Sequence, residues 1–370
     1  MTWETRTLAD VVTLKRGFDL ATASRIAGAV PILSAGSTAG THNEAKVRGP
    51  GFSVGRATNL GVPQWSDVDY WPLNTTLYAA DFHGNNPRWL YHLFQVLDLK
   101  GYDSGSVQPM LNRNYIAQVP VSVPPRPVQD SIAEFLGALD DKISANARAR
   151  DLTMQLSDSI VRAKLLEDSR AVSLTDIASE ITRGIAPKYA EEGILVLNQK
   201  CVRGGLVEHT NARYSSASPK SEVKFLRRDD VLVNSTGQGT LGRVARWTRG
   251  WPNATVDSHV SIVRFDPSLV DPVFAGTVLA GLGREIEALA EGSTGQTELR
   301  RDLLGSLPIR LPTIGVQREV GSILSELSSR IDAVQVENEV LTRTRDELLP
   351  LLMDGRITVR SAGVTGEPGR

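Results

Sequence analysis

Two stretches of the chain carry a helical rhythm of apolar positions longer than a globular helix needs. Val316, Val320, Leu324, Leu327, Ile331, Val334, Asn338, Leu341, Arg345 and Leu348 follow alternating steps of four and three, which is a heptad seam. Val128 to Leu166 runs without proline, and its roughly 38 residues make about 57 Å of helix. It keeps the same steps through Ile132, Leu136, Leu139 and Ile143; its apolar positions then shift to Leu152, Leu156 and Ile160, past a weaker patch around Ser144 to Arg150. Asn338 on the seam would fix register at some cost in stability. Pro350 predicts a kink or an end near Leu349. Stripes this long exceed what one small domain covers, so they predict a coiled-coil-like antiparallel pair. A parallel pair, and each helix packing on its own domain, stay open.

The remaining sequence reads as short β-branched and aromatic runs broken by Gly, Pro, Asn and Ser. PILSAG, GFSVG, ILVLNQK, DDVLVNST and RVARW are strand candidates, and HVSIVRF alternates as a half-buried strand does. PRWLYHLFQVLDLK and DPVFAGTVLAGLGREIEALA have helical spacing and follow the strands.

The chain is also written twice. Leu8-Ala9-Asp10-Val11 through Lys15-Arg16-Gly17 returns as Leu174-Thr175-Asp176-Ile177 through Thr182-Arg183-Gly184. Trp71-Pro72 with Thr75 returns as Trp251-Pro252 with Thr255. Gln108, Leu111, Pro120, Pro124, Gln129, Ile132, Leu136, Leu139 and Ile143 return 188 residues later as Gln296, Leu299, Pro308, Pro312, Gln317, Val320, Leu324, Leu327 and Ile331. An internal repeat decides architecture before any motif does. The fold class expected is α+β: two mixed α/β domains, at 1–125 and 169–313, separated by two long antiparallel helices, at 126–168 and 314–355, as a pseudo-twofold repeat with a flexible tail at 356–370.

Composition narrows the chemistry. With 370 residues and 41% apolar content the chain can bury two cores. No apolar run reaches a membrane span and the N-terminus has no signal-peptide pattern, so a cytoplasmic protein without membrane contact is expected. Cys201 is the only cysteine and the five histidines are scattered, which argues against disulfides and a metal site. A net charge of −1 is unusual for an independent nucleic-acid binder. It remains compatible with a subunit that reads bases while partners neutralise phosphates.

The segment PVSVPPRPVQDSIAEFLGALDDKISAN at Pro120 to Asn146, its looser echo PIRLPTIGVQREVGSILSELSSRIDAV at Pro308 to Val334, and ITRGIAPKYAEEGILVLN at Ile181 to Asn198 resemble the specificity subunits of type I restriction-modification systems. The resemblance covers nearly the whole chain; Thr313 in place of Pro125, and Ser328-Ser329 in place of Asp140-Asp141, are its departures. It implies a non-catalytic subunit selecting an asymmetric, two-part site on double-stranded DNA, one half per target-recognition domain. It implies two modification subunits that dock along the helices, carry S-adenosylmethionine and methylate adenine, and, in a full system, restriction subunits using ATP and magnesium. No cofactor is expected in this chain itself. Helices of about 57 Å would then hold half-sites on the order of one DNA turn apart or slightly more, centre to centre.

Two motifs invite catalytic readings and fail on context. Gly237-Gln238-Gly239-Thr240-Leu241-Gly242 is a GxGxxG, but strand-like sequence follows it where a dinucleotide site needs a helix. Asn86-Pro87-Arg88-Trp89 only loosely resembles an adenine-methyltransferase motif and reads better as a helix start, with Asn86 as cap. No catalytic residue and no metal ligand is therefore assigned.

Base reading needs Arg, Lys, Asn, Gln, Ser or Thr presented on loops. The candidates for DNA contact in the first domain are Arg16, Arg56, Thr58, Asn59, Gln64, Asn74, Gln108 and Arg113. In the second they are Arg183, Lys188, Tyr189, Asn198, Gln199, Lys200, Ser235, Thr236, Gln238, Thr240, Arg243 and His259. Two rival readings are a non-DNA scaffold that spaces two binding modules, favoured by the near-neutral charge, and a free-standing DNA methyltransferase or nuclease.

Overall fold

The first β-rich segment begins and ends at one place: strand Glu4–Thr7 pairs antiparallel with Pro120–Val123, Glu4 opposite Val123 and Thr7 opposite Pro120. The computed structural model describes residues 3–99, 101–102, 110–216, 224–251, 253–291 and 297–359. Gln108, Pro252, Gln296 and the tail beyond 359 lie outside them. The chain divides into two units, Met1–Ala145 with Asn338–Arg370, and Asn146–Glu337.

In the first unit a four-stranded antiparallel sheet runs in the order Thr13–Arg16, Thr76–Asp81, Gly51–Gly55, Pro63–Ser66. A three-stranded sheet adds Ser37–His42, Val30–Ser34 and, in parallel, Trp71–Pro72. Helix Pro87–Val96 starts where Asn86 accepts hydrogen bonds from the backbone of Arg88 and Trp89, with proline at its first position. It buries Trp89, Leu90 and Phe94 in a core with Phe52 and Val54, and each such side chain stabilises by about 1.5–3 kcal/mol.

The second unit repeats the plan. Arg170–Ser173 pairs antiparallel with Pro308–Leu311, and a sheet runs Ala178–Arg183, Val260–Phe265, Val231–Asn234, Val244–Arg246. A further sheet orders Tyr189–Ala190, Arg213–Ser215, Ile194–Leu197 and Ala254–Val256. Helices Pro272–Ala280 and Gly283–Ala288 follow. The alternation in HVSIVRF predicts one solvated face, yet Val260–Phe265 is buried on both. As the second strand of its sheet, with neighbours on both sides, it satisfies the polar Ser261 internally through a 2.6 Å hydroxyl pair with Ser235.

The long helices are Arg126–Glu167 and Ile314–Met353. In the first unit Arg345 Nη1 donates to Asp140 Oδ1 at 3.0 Å and Asn338 Nδ2 to the Ile143 carbonyl at 3.1 Å. In the second, Asn146 Nδ2 donates to Glu337 Oε2 at 2.8 Å. One number rises as the other falls, so the helices pair antiparallel. Ile132, Leu136, Val320, Leu324 and Ile331 are buried, and Leu139, Ile143, Ile160, Leu327, Val334, Asn338, Leu341 and Leu348 are half-buried.

Two expectations about these helices are corrected. Leu152 and Leu156 are 64% and 50% exposed and lie off the seam. An unbroken helix keeps its heptad phase unless residues are inserted, so the inward positions after Ile143 are Asn146, Arg150, Thr153, Ser157 and Ile160. The hydroxyls are satisfied within the helix, Thr153 donating to the Ala149 carbonyl and Ser157 to that of Thr153. Of the kink or end expected at Pro350, the end near Leu349 is not found: the second helix runs on to Met353. In the last turn the proline ring removes a single backbone bond, and the helix stops before Gly355 at φ +75°.

Candidate nucleic-acid interface

The loop from Asn234 to Arg243 joins two antiparallel strands, Val231–Asn234 and Val244–Arg246, so the GxGxxG sequence is a hairpin turn. Gly237, Gly239 and Gly242 all take positive φ. Asn234 Nδ2 braces the turn by donating to the Gln199 and Thr240 carbonyls at 2.8 and 3.1 Å. Thr240 Oγ1 donates to the Gly237 carbonyl and Arg243 Nη2 to that of Gly239 at 2.8 Å. Thr236 Oγ1 lies 2.8 Å from His259 Nδ1, which ties the turn to the neighbouring loop. Gln238 projects from it exposed.

Beside this turn an open cavity of about 430 Å³ gathers Tyr189, Asn198, Gln199, Lys200 and His259 from separate strands and loops. Five sequence-predicted residues therefore share one polar concavity. Asn198 is fixed by donating to the Asn211 carbonyl at 2.6 Å and accepting the Lys200 backbone N–H at 2.8 Å. Asp257 closes the floor; burial raises its carboxyl above the ordinary range, against the hydrogen bond from the His259 backbone and the His259 charge that pull it down. Arg213 also lines the cavity, and its guanidinium lies 5.0 Å from the Tyr189 ring centre, a stacking that fixes its plane. Sequence reasoning misses Arg213. The signal is the exposed face of strand Arg213–Ser215, too short for alternation to register.

Other candidates are placed differently. Ser235, the first residue past strand Val231–Asn234, is fully buried, its hydroxyl held by Ser261 and the Val233 carbonyl, so it cannot touch DNA: a position on a loop does not by itself expose a side chain. Arg183 donates to the Ser258 and Leu299 carbonyls at 3.0 and 2.7 Å and to Glu298 at 2.9 Å, which makes it a strut. Lys188 contributes backbone bonds to Ser215 and Ser216. Arg183-Gly184 and Arg16-Gly17 share a reason for glycine: a Cβ would sit 2.1 Å from the Val256 carbonyl oxygen in one copy and 2.2 Å from that of Leu73 in the other.

In the first unit the equivalent turn joins Gly51–Gly55 to Pro63–Ser66. Thr58 and Asn59 adopt left-handed conformations in it, and Asn59 Nδ2 donates to the Ala35 carbonyl at 3.2 Å. Burial, then the charge of Arg16, lower the Arg56 pKa. Asp19 lies 3.7 Å from Arg16 and accepts a hydrogen bond from Asn74. The Gln64 side-chain amide oxygen is buried without a hydrogen-bond partner among the described residues. Arg113 is exposed at the first position of helix Arg113–Ile116. Among the described residues no group of three His, Cys, Asp or Glu could hold a metal, and no helix is long and apolar enough to cross a membrane.

Residues 1–152 match the family described as type I restriction modification DNA specificity domain. A putative type I restriction enzyme specificity subunit of Haemophilus influenzae is 24% identical over 305 residues, covering 79% of this chain and 74% of that protein. The crystal structure of the type I restriction-modification S subunit from M. genitalium shares the fold, with a TM-score of 0.66 at 17% identity over 95% of this chain and 96% of that one. The first 152 residues thus match a type I restriction modification DNA specificity domain, and the duplicated plan described above has the fold of a type I restriction-modification S subunit.

Proposed function

We propose that residues 1–125 and 169–313 are target-recognition domains, each reading one half of a bipartite, asymmetric site on double-stranded DNA. The helices at 126–168 and 314–355 set the half-site spacing and dock two modification subunits. S-adenosylmethionine belongs to those subunits, which methylate adenine; restriction subunits with ATP and magnesium complete the assembly where present. The observation that supports this best is the concavity uniting Tyr189, Asn198, Gln199, Lys200 and His259 with the stacked Arg213. Asn and Gln match adenine and a planar guanidinium matches guanine, so it carries the donor and acceptor set that base edges require. Non-identical loops in the two domains fit unlike half-sites. The near-neutral charge fits a subunit whose partners supply phosphate contacts, so tight, salt-sensitive binding is expected only with the modification subunit.

The test is to sequence methylated adenines in cells carrying the modification subunit with and without this chain. A two-part motif that appears only with the chain supports the reading. Methylation independent of the chain, or no DNA binding by the assembled complex, overturns it.

A further inference from the structure

One end of the four-stranded sheet carries the same backbone bonds in both units, so the copies can be matched there residue by residue. The Gly17 N–H donates to the Thr76 carbonyl as Gly184 does to Val260, Arg56 to Thr75 as Ser235 to His259, and Leu111 to Arg56 as Leu299 to Ser235. Bridges of Ala57 with Met110 and of Thr236 with Glu298 complete the match. Arg16 therefore stands where the second copy has Arg183, Arg56 where it has Ser235, and Thr75 where it has His259.

In the second copy each of these polar side chains is paired from within. Arg183 is held by Glu298 and by the Ser258 and Leu299 carbonyls, Ser235 by Ser261, and His259 by Thr236. In the first copy all three side-chain partners are replaced: Met110 stands for Glu298, Leu77 for Ser261 and Ala57 for Thr236. None of the replacements offers a carboxylate or a hydroxyl. The polar groups nonetheless remain. The Thr75 hydroxyl is buried without a partner among the described residues, and the Arg16 side chain is 56% exposed against 20% for Arg183.

A second positive charge is added beside it. Arg16 lies opposite Leu77, Leu77 lies opposite Val54, and Arg56 follows Val54 by two, so both arginines belong to one face of the sheet. Asp19 faces Arg16 at 3.7 Å, too far for a hydrogen bond, and it already accepts one from Asn74. Two guanidiniums against one loosely held carboxylate leave this place positive and rich in donors, which fits a phosphate group and not a cation.

We infer that Arg16 holds a backbone phosphate of the half-site read by residues 1–125, in the field of Arg56, whereas Arg183 braces its own domain and touches no DNA. This rests on the DNA-reading function proposed above. The test is to titrate the full chain, assembled with its modification subunit, with DNA carrying its methylated motif over a range of salt. Arg16→Ala should weaken binding about tenfold and lower the slope of log K against log salt by about one, with the motif unchanged, since phosphate contacts carry no sequence information. Arg16→Lys, which keeps the charge, should retain most of the affinity. Met110→Glu, which rebuilds the strut of the second copy, should weaken binding to a similar degree although Arg16 is still present. The two changes together should cost little more than either alone. Unchanged affinity and slope in Arg16→Ala, an altered motif, or fully additive losses in the double variant overturn the inference and leave the proposed function standing. If the unaltered assembly binds no site that depends on this chain, that function falls and the inference falls with it.

Discussion

Gln129 Oε1 accepts the backbone N–H of Asn86 at 2.9 Å while its Nε2 donates to the Pro124 carbonyl at 3.0 Å. Gln317 repeats both bonds, accepting from Asp271 at 3.1 Å and donating to Pro312 at 2.8 Å. Both amides are almost fully buried, so each ties a helix start of its β-rich segment to a long helix. Replacing either with leucine strands a buried N–H and a buried carbonyl. The expected cost is about 2–4 kcal/mol, seen in denaturant unfolding as a lower midpoint with an unchanged slope for the affected unit.

The seam makes a contrasting prediction. Leu152→Ser and Leu156→Ser should change stability by no more than about 0.5 kcal/mol, since both side chains face water. Leu136→Ala and Leu324→Ala, each within a percent of full burial, should cost about 2–5 kcal/mol. Equal losses in the two sets would mean the leucines and not the polar positions form the contact.

His92 gives a pH dependence. Burial holds its pKa below the ordinary 6.5, with Arg88 and Arg345 acting in the same direction and Gln95 and Asp140 opposing. Above pH 6.5 the ring is neutral in both folded and unfolded chains. As pH falls below that value the unfolded chain takes up the proton first, so stability is lost until the folded group also titrates. His92→Gln should flatten the change in unfolding midpoint between about pH 7.5 and 5.5, and an unchanged profile would assign that loss to other groups.

Base reading can be tested one half at a time. Arg213→Ala should relax or erase one guanine position in the half-site read by residues 169–313, at about 1–3 kcal/mol of discrimination. Arg56→Ala should alter only the other half. Methylated-adenine sequencing distinguishes the two, and a change in both halves from either variant contradicts separate readers.

The long helices, the duplication and most strands were legible because their signals repeat: apolar steps of three and four, and matched residues 188 apart. The phase of the first helix past Ile143 was not. Leu152 and Leu156 advertise a seam, while Asn146, Thr153 and Ser157 occupy it through bonds that hydropathy does not register. The candidate site was legible in part. Tyr189 and His259 stand 70 positions apart in sequence, and only the sheet order brings them together. The burial of Ser235 just past its strand was not legible because its hydroxyl partner, Ser261, belongs to a strand formed later in the chain.

The clasp of Glu4–Thr7 with Pro120–Val123, and its counterpart of Arg170–Ser173 with Pro308–Leu311, mean that everything between leaves and returns through adjacent chain ends. A module with neighbouring termini can be lifted out and another put in without lengthening or straining the frame. Exchange of the intervening sequence, with the paired strands and the helices retained, is therefore a route by which such a chain acquires a new target in a single recombination step, with no need for gradual change at individual loops.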